Sequence, residues 1–310
     1  MTNVLITGGA GFIGSSLADH LLKNDRYRVT LVDNLLTGEL WKVPVHPRCS
    51  FVQADVNQWD ELAPIMTGCA FDYVFHYAAV VGVKRTIENP VMVLRDIDGI
   101  RNVLTLCKET GVKRIFFSSS SEVYGEPVEL PQHEERTPLN SRLPYAVVKN
   151  VGESFCRSYE KEFGLPYTIF RFFNTYGPKQ STDFVISKFI RLAKANQNIP
   201  VYGSGGQTRT FCYITDNTEC TVRILEDGLL NNEVINIGSE KDVTILELAE
   251  LIIRLTGSSS KIEFLPPLKE GDMTRRKPDA SKMKLILNHP PLSLEQGIRK
   301  ILEVEVPIIS

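Results

Sequence analysis

Three glycines set three residues apart, Gly8, Gly11 and Gly14, sit between an apolar run, Val4-Leu5-Ile6-Thr7, and a helical pattern. Gly8 permits a tight strand-to-helix turn, Gly11 lets the backbone approach a pyrophosphate, and Gly14 lets the helix pack close on the strand. The N–H groups at the start of that helix then face the anion. Asp33 follows the next apolar run, Val29–Val32, where a carboxylate accepts hydrogen bonds from the adenine ribose of a dinucleotide. It repels a 2′-phosphate, and its neighbours Asn34 and Leu35 offer no cation to hold one, so NAD is favoured over NADP.

The same alternation continues for half the chain. Strands are predicted at Val4–Thr7, Val29–Val32, Tyr73–His76, Arg114–Ser118 and Tyr167–Phe172, and helices at Phe12–Lys23, Asp60–Met66, Val91–Cys107 and Tyr145–Phe163. The strands are apolar throughout, as in a parallel sheet covered on both faces. This predicts an α/β chain, a Rossmann-type doubly wound parallel sheet with a smaller α/β C-terminal substrate domain. We expect the dinucleotide-binding domain over 1–170, with later segments returning to it, and the substrate domain over 171–310. Helices are expected there at Phe184–Ala195, Thr215–Glu226, Ile245–Leu255 and Leu294–Leu302.

Composition narrows the partners. Of 310 residues, 35 are basic and 37 acidic, so a net charge of −2 argues against nucleic acid or an anionic membrane surface as the main partner. No apolar stretch is long enough for a membrane span, and no secretory leader is visible. Cys49, Cys69, Cys107, Cys156, Cys212 and Cys220 contain no C-x-x-C pair, and we expect reduced thiols in a cytoplasmic protein. The five histidines are scattered, so no metal site is expected.

Tyr145 and Lys149 are four residues apart on a predicted helix and share a face. An ammonium beside a phenol stabilises the phenolate and readies it to take a proton from an alcohol. Gly8–Gly14 with Tyr145-Ala146-Val147-Val148-Lys149 resembles the extended short-chain dehydrogenase/reductase family. So do His76-Tyr77-Ala78-Ala79, Ser118–Gly125, Arg171–Pro178 and Val201–Arg209. In this order the set resembles enzymes that modify nucleotide-linked sugars through a 4-ketone.

The resemblance implies that Tyr145 is the base, that Ser120 holds the sugar hydroxyl, and that Lys149 also bonds the nicotinamide ribose. It implies a dinucleotide site made of Gly8, Gly11, Phe12, Ile13, Gly14, Asp33, Asn34, Asp55, Val56, Ala78 and Ala79 beside Tyr145 and Lys149. Ser120-Ser121-Glu122 is similar to the segment in UDP-glucuronate decarboxylases and in the dehydratases of guanosine-linked mannose. The dehydratases of thymidine-linked glucose carry Asp-Glu where this chain has Ser121-Glu122, and 4-epimerases usually carry a small or apolar residue for Glu122.

Arg275-Arg276-Lys277-Pro278 resembles the Arg-Arg-Lys-Pro segment of UDP-glucuronate decarboxylases, where Arg276 would face the sugar carboxylate. A basic surface loop is the other reading of that segment. Two stretches depart from the decarboxylases: Lys179–Ser187 is shorter, and Val80–Arg85 is closer to the general epimerase/dehydratase pattern. Val83, Lys84, Asn174, Tyr202, Gln207, Arg209 and Arg276 are the expected substrate-binding residues.

Finally, Val91–Cys107 and Tyr145–Phe163 are apolar on more than one face. Val93, Ile97, Ile100 and Leu104 form one stripe, with Leu94, Val103 and Leu106 beyond it; Val148, Val151, Phe155 and Tyr159 form another. The resemblance implies a homodimer paired through these helices as a four-helix bundle.

Overall fold

The computed structural model describes residues 1–267 and 275–304, apart from the side chains of residues 83 and 84. The chain runs through β1 (Thr2–Thr7), α1 (Phe12–Leu21), β2 (Tyr27–Asp33), β3 (Cys49–Gln53), α2 (Trp59–Gly68) and β4 (Tyr73–His76). Two short helices, α3 (Val83–Glu88) and α4 (Pro90–Leu94), lead to α5 (Asp96–Thr110), β5 (Arg114–Ser120), α6 (Pro144–Phe163) and β6 (Tyr167–Phe172). Then come β7 (Thr175–Tyr176), α7 (Val185–Lys194), β8 (Ile199–Tyr202), β9 (Thr208–Thr210), β10 (Cys212–Tyr213) and α8 (Ile214–Glu226). The last elements are β11 (Glu233–Ile237), β12 (Asp242–Thr244), α9 (Ile245–Thr256), β13 (Ile262–Leu265), α10 (Ser281–Leu287) and α11 (Leu294–Glu303).

Seven strands form one sheet in the order β11-β6-β5-β4-β1-β2-β3. From β3 to β6 every neighbouring pair is parallel. The cause lies in the sequence: Val4, Leu5 and Ile6 of β1 are wholly buried, as are Val29 and Leu31 of β2 and Val74 and Phe75 of β4, so both faces are covered. Because these six strands point the same way, their carboxyl ends share one edge. The strand order turns around between β1 and β4, and ligands of doubly wound sheets bind at that crevice. Helix α6 packs tightly here because Gly152 lies on the Phe117 ring, where a Cβ would collide with it.

The strands and most helices fall where the sequence puts them, and three expectations change. The continuous helix over Val91–Cys107 is instead α4 followed by α5, parted at Arg95. Just past the break, the buried Asp96 carboxylate accepts the Val80 N–H at 2.7 Å. The sheet also has two unforeseen strands, β3 and β11. Third, Val103 and Leu106 are buried within the chain and need no partner, whereas Leu94 is 43% exposed.

Two compact units emerge. One comprises Met1–Gly125, Leu139–Phe172 and Thr218–Ile235; the other comprises Glu126–Pro138, Phe173–Asn217 and Asn236–Ser310, of which 268–274 and 305–310 are outside the described residues. The second unit has short two-strand pairings, β7 with β10, β8 with β13 and β9 with β12. Its helices α9 and α11 each begin at a capping box, Thr244 with Glu247 and Ser293 with Gln296. All six cysteines are free. No described helix is long and apolar enough to cross a membrane.

Candidate active site

The glycine turn is fixed by its own backbone. Gly8 has φ +69°, and a Cβ there would meet Ala78 N at 2.7 Å; one on Gly14 would run into the Gly8 carbonyl oxygen. Gly11 differs: its hypothetical Cβ meets only the Gly8 carbonyl group, with the oxygen at 3.0 Å. A side chain on Gly11 would therefore project over the turn and fill the cradle. Helix α1 starts at Gly11 with no side-chain cap, so the first-turn N–H groups, those of Phe12 and Ile13 among them, suit an anion. These features fit a dinucleotide.

Asp33 ends β2 at the edge of this cradle and is 8% exposed. Its carboxylate accepts the Ala10 N–H at 3.0 Å and the Leu35 N–H at 2.8 Å. Burial raises its pKa, opposed by these N–H groups and by the Lys42 charge. Lys42 corrects one detail of the sequence reading. Asn34 and Leu35 indeed offer no cation, but Lys42, 3% exposed and paired with Glu39 at 2.7 Å, brings one near Asp33. Asn34 Oδ1 accepts the Leu36 N–H at 3.0 Å. Past β3, Asp55 accepts the Asn57 N–H at 2.9 Å, and the Val56 carbonyl accepts from Asn102 at 3.1 Å. Ala78 N–H donates to Thr7 Oγ1 at 3.2 Å, and Ala79 follows it in the loop after β4.

Tyr145 and Lys149 lie on the first turns of α6. Lys149 Nζ is 5.7 Å from the Tyr145 ring centroid and 5.2 Å from that of Phe117. Its ammonium is buried and donates to Ser118 Oγ at 3.3 Å. Burial pushes its pKa down to about 8, against the pull of the Asp96 charge. Ser118 donates to the His76 carbonyl at 3.2 Å, and His76 Nδ1 shares a hydrogen bond with Thr7 Oγ1 at 2.8 Å. Burial, with the Lys149 charge, lowers the His76 pKa to about 3, so its ring stays neutral. Ser118 thus bonds the lysine, the Asp96 charge acts on it, and His76 and Thr7 stand behind Ser118; no motif in the sequence announced them in that role.

Ser120 closes β5, and its Oγ accepts the Glu122 N–H at 3.2 Å, capping a 3-10 turn over Ser121–Tyr124. Ser121 is buried and Glu122 half-buried. Ser120, Glu122, Tyr145 and Lys149 therefore belong to one unit, at the carboxyl end of β5 and the start of α6.

Of the remaining predicted residues, Asn174, Tyr202, Gln207, Arg209 and Arg276 belong to the second unit, and Val83 and Lys84 to the first. Asn174 has φ +35°, and its Nδ2 donates to the Thr210 carbonyl at 2.9 Å. Tyr202 ends β8, and its carbonyl accepts from Gln207 Nε2 at 3.2 Å. Arg209 lies within β9, paired with Val243, and donates to the Thr208 carbonyl at 2.8 Å. Arg276 is 8% exposed, between an exposed Arg275 and a half-buried Lys277, in the segment whose other reading is a basic surface loop. The side chains of Val83 and Lys84 lie outside the described residues.

The model of the NAD dependent epimerase/dehydratase family matches residues 4–238. A UDP-N-acetyl-alpha-D-glucosaminuronate decarboxylase of Bacillus cytotoxicus is 39% identical, over 96% of this chain and 96% of the relative. A UDP-glucuronic acid decarboxylase 1 of Danio rerio is 36% identical, over 97% of this chain and 72% of the relative. Among solved structures, the UDP-glucose 4-epimerase of Thermotoga maritima, determined with UDP-glucose, superposes with a TM-score of 0.91 at 31% identity, covering 97% of this chain and 98% of that one.

Proposed function

The chain belongs to the NAD dependent epimerase/dehydratase family, and on that footing we propose that it decarboxylates a UDP-linked uronic acid through a 4-ketone. The observation that carries this reading is Glu122. A carboxylate whose backbone N–H donates to Ser120 Oγ sits two residues beyond the cap that would bind the sugar alcohol. The decarboxylase relatives support the same reading.

The glycine turn, Asp33 and the loop through Ala78 and Ala79 would hold the dinucleotide, with Lys149 on its nicotinamide ribose. NAD, when bound, accepts a hydride from C4 of the sugar and returns it later. Ser120 Oγ holds the O4 hydroxyl, and Tyr145, as phenolate beside the Lys149 ammonium, takes its proton. The sugar is then a β-keto acid. Its C5–C6 bond breaks, carbon dioxide leaves, and the electron pair stays on C5 as an enolate. Glu122, or a water it orients, gives C5 a proton, and Tyr145 returns its proton to O4. Arg276 supplies the guanidinium for the carboxylate; Asn174 and Arg209 take the diphosphate, and Tyr202 and Gln207 frame the base.

The test is incubation of the chain with NAD and either UDP-glucuronate or UDP-N-acetylglucosaminuronate, read by mass spectrometry. Loss of carbon dioxide from one of them is expected. No such loss, with turnover of a neutral sugar nucleotide, would replace this reading with a 4-epimerase or 4,6-dehydratase.

We further propose a homodimer. Val91 at 67%, Leu94 at 43% and Val147 at 38% exposure leave apolar surface on α4 and α6. Light scattering should give twice the chain mass, and Leu94→Asp should give a monomer.

A further inference from the structure

Four buried side chains from four elements meet beneath the proposed site. Glu153 of α6 is 0% exposed, Tyr124 is 1%, and Ser119 of β5 and Arg171 of β6 are each 2%. Arg171 grips the carboxylate as a fork, Nε to Oε1 at 2.8 Å and Nη2 to Oε2 at 2.7 Å. Ser119 Oγ donates to the same Oε1 at 2.6 Å. The third guanidinium nitrogen, Nη1, donates to the Tyr124 hydroxyl at 2.9 Å, and the guanidinium carbon stands 4.8 Å from the Tyr124 ring centroid. Arg157 reaches Oε2 at 3.0 Å from the outer side.

Burial would push the Glu153 carboxyl up, but the Arg171 bonds and charge outweigh it and hold it below the usual range; the Arg171 pKa is raised in turn. Both groups stay charged. A buried ion pair is weak evidence for stability, because desolvation offsets the attraction. What a forked pair does supply is fixed geometry, since two parallel bonds set both distance and angle.

The four residues each adjoin a proposed catalytic group. Ser119 precedes Ser120. Tyr124 ends the turn that carries Glu122. Glu153 lies one helical turn beyond Lys149 and two beyond Tyr145. Arg171 is in register with Ser119 across the sheet. We propose that Glu153 and Arg171 are positioning residues: the fork between them, extended to Ser119 and Tyr124, sets the spacing between Ser120–Glu122 and Tyr145–Lys149. The proposal rests on the reading of Tyr145 as the base. Proton and hydride transfer tolerate errors of only about half an ångström, so small losses of this frame should appear in turnover before they appear in folding.

The test compares Tyr124→Phe and Arg171→Lys with a matched control, Tyr27→Phe, in the full chain. Tyr27 also accepts a hydrogen bond from an arginine, Arg26 Nη2 at 2.7 Å, whose guanidinium carbon is 4.8 Å from its ring. All are assayed with whichever of UDP-glucuronate, UDP-N-acetylglucosaminuronate and UDP-glucose the parent turns over. Tyr124→Phe should cut kcat about tenfold, with KM within twofold and the melting temperature within about three degrees. Arg171→Lys, which keeps the charge and loses the fork, should cut kcat further. The control should leave kcat unchanged. Should Tyr124→Phe retain kcat per folded molecule, or lose it only in step with stability, the pair is structural and the proposal fails. If Arg171→Lys does not fold, Tyr124→Phe decides alone. Full activity of Tyr145→Phe would instead remove the base on which the proposal rests.

Discussion

One trio of residue types occurs at both ends of the central sheet. Near the amino ends of the strands, Arg26 lies over Tyr27 and pairs with Glu226 at 2.5 Å, with side chains 47% and 30% exposed. Near the carboxyl ends, Arg171 lies over Tyr124 and pairs with Glu153, both members of the pair almost wholly buried. Tyr27 itself is buried, but the Arg26–Glu226 pair is partly exposed, screened by water, and contributes little to stability. The buried one is water-excluded and ties together the segments that bear the proposed catalytic groups. The contrast teaches that residue type alone does not assign a role. In a parallel sheet, the end at which a cluster sits decides whether it trims stability or frames chemistry.

The largest effect that could break this contrast is at Tyr145. Tyr145→Phe should lower turnover by about a thousandfold with little change in melting temperature, checked by steady-state assay and thermal unfolding. Lys149→Met should be as inactive yet melt a few degrees higher without cofactor, because the parent carries a buried ammonium. The sign follows from its pKa, about 8 folded against 10.5. The penalty is full below about pH 8 and fades as the pH rises to 10.5, so the gap between parent and variant should close over that range.

Next comes acid. His76 has a folded pKa of about 3 against 6.5, so stability is lost as the pH falls from 6.5 towards 3, by a few kcal/mol in order of magnitude. In His76→Gln that slope should flatten in pH-dependent melts. Smaller again, Asp33→Asn should weaken NAD binding about tenfold by calorimetry, through one weakened ribose contact. Smallest is Tyr27→Phe at the opposite end. It should lower the melting temperature by about one or two degrees and leave turnover intact. A loss of activity there would erase the distinction between the two ends.

The features legible in the sequence are those in which spacing carries the physics. Gly8, Gly11 and Gly14 repeat at the interval a strand-to-helix turn requires, and Tyr145 and Lys149 at the interval of one helical turn, so both sites could be read locally. The sheet strands up to β6 announced themselves by unbroken apolar runs. β3 did not, because as an edge strand none of its residues is fully buried, and Cys49–Gln53 alternates weakly. The Lys149 pocket was hidden because Thr7, His76, Asp96 and Ser118 converge from four elements through tertiary contacts. Glu153 and Arg171 left a fainter signal: a carboxylate four residues beyond Lys149, and one arginine inside the apolar run Tyr167–Phe172. Each is unexceptional alone, and only the fold brings them together.

The seventh strand carries a consequence for biosynthesis. β6 ends at Phe172, but its outer neighbour β11 is not translated until residues 233–237. While the intervening chain leaves the ribosome, β6 presents unpaired N–H and C=O groups, an open template for another nascent strand. Closure must wait for a contact distant along the chain, which slows the final step of folding. Polypeptides that stop short of residue 233 should therefore self-associate, however well their glycine turn has formed.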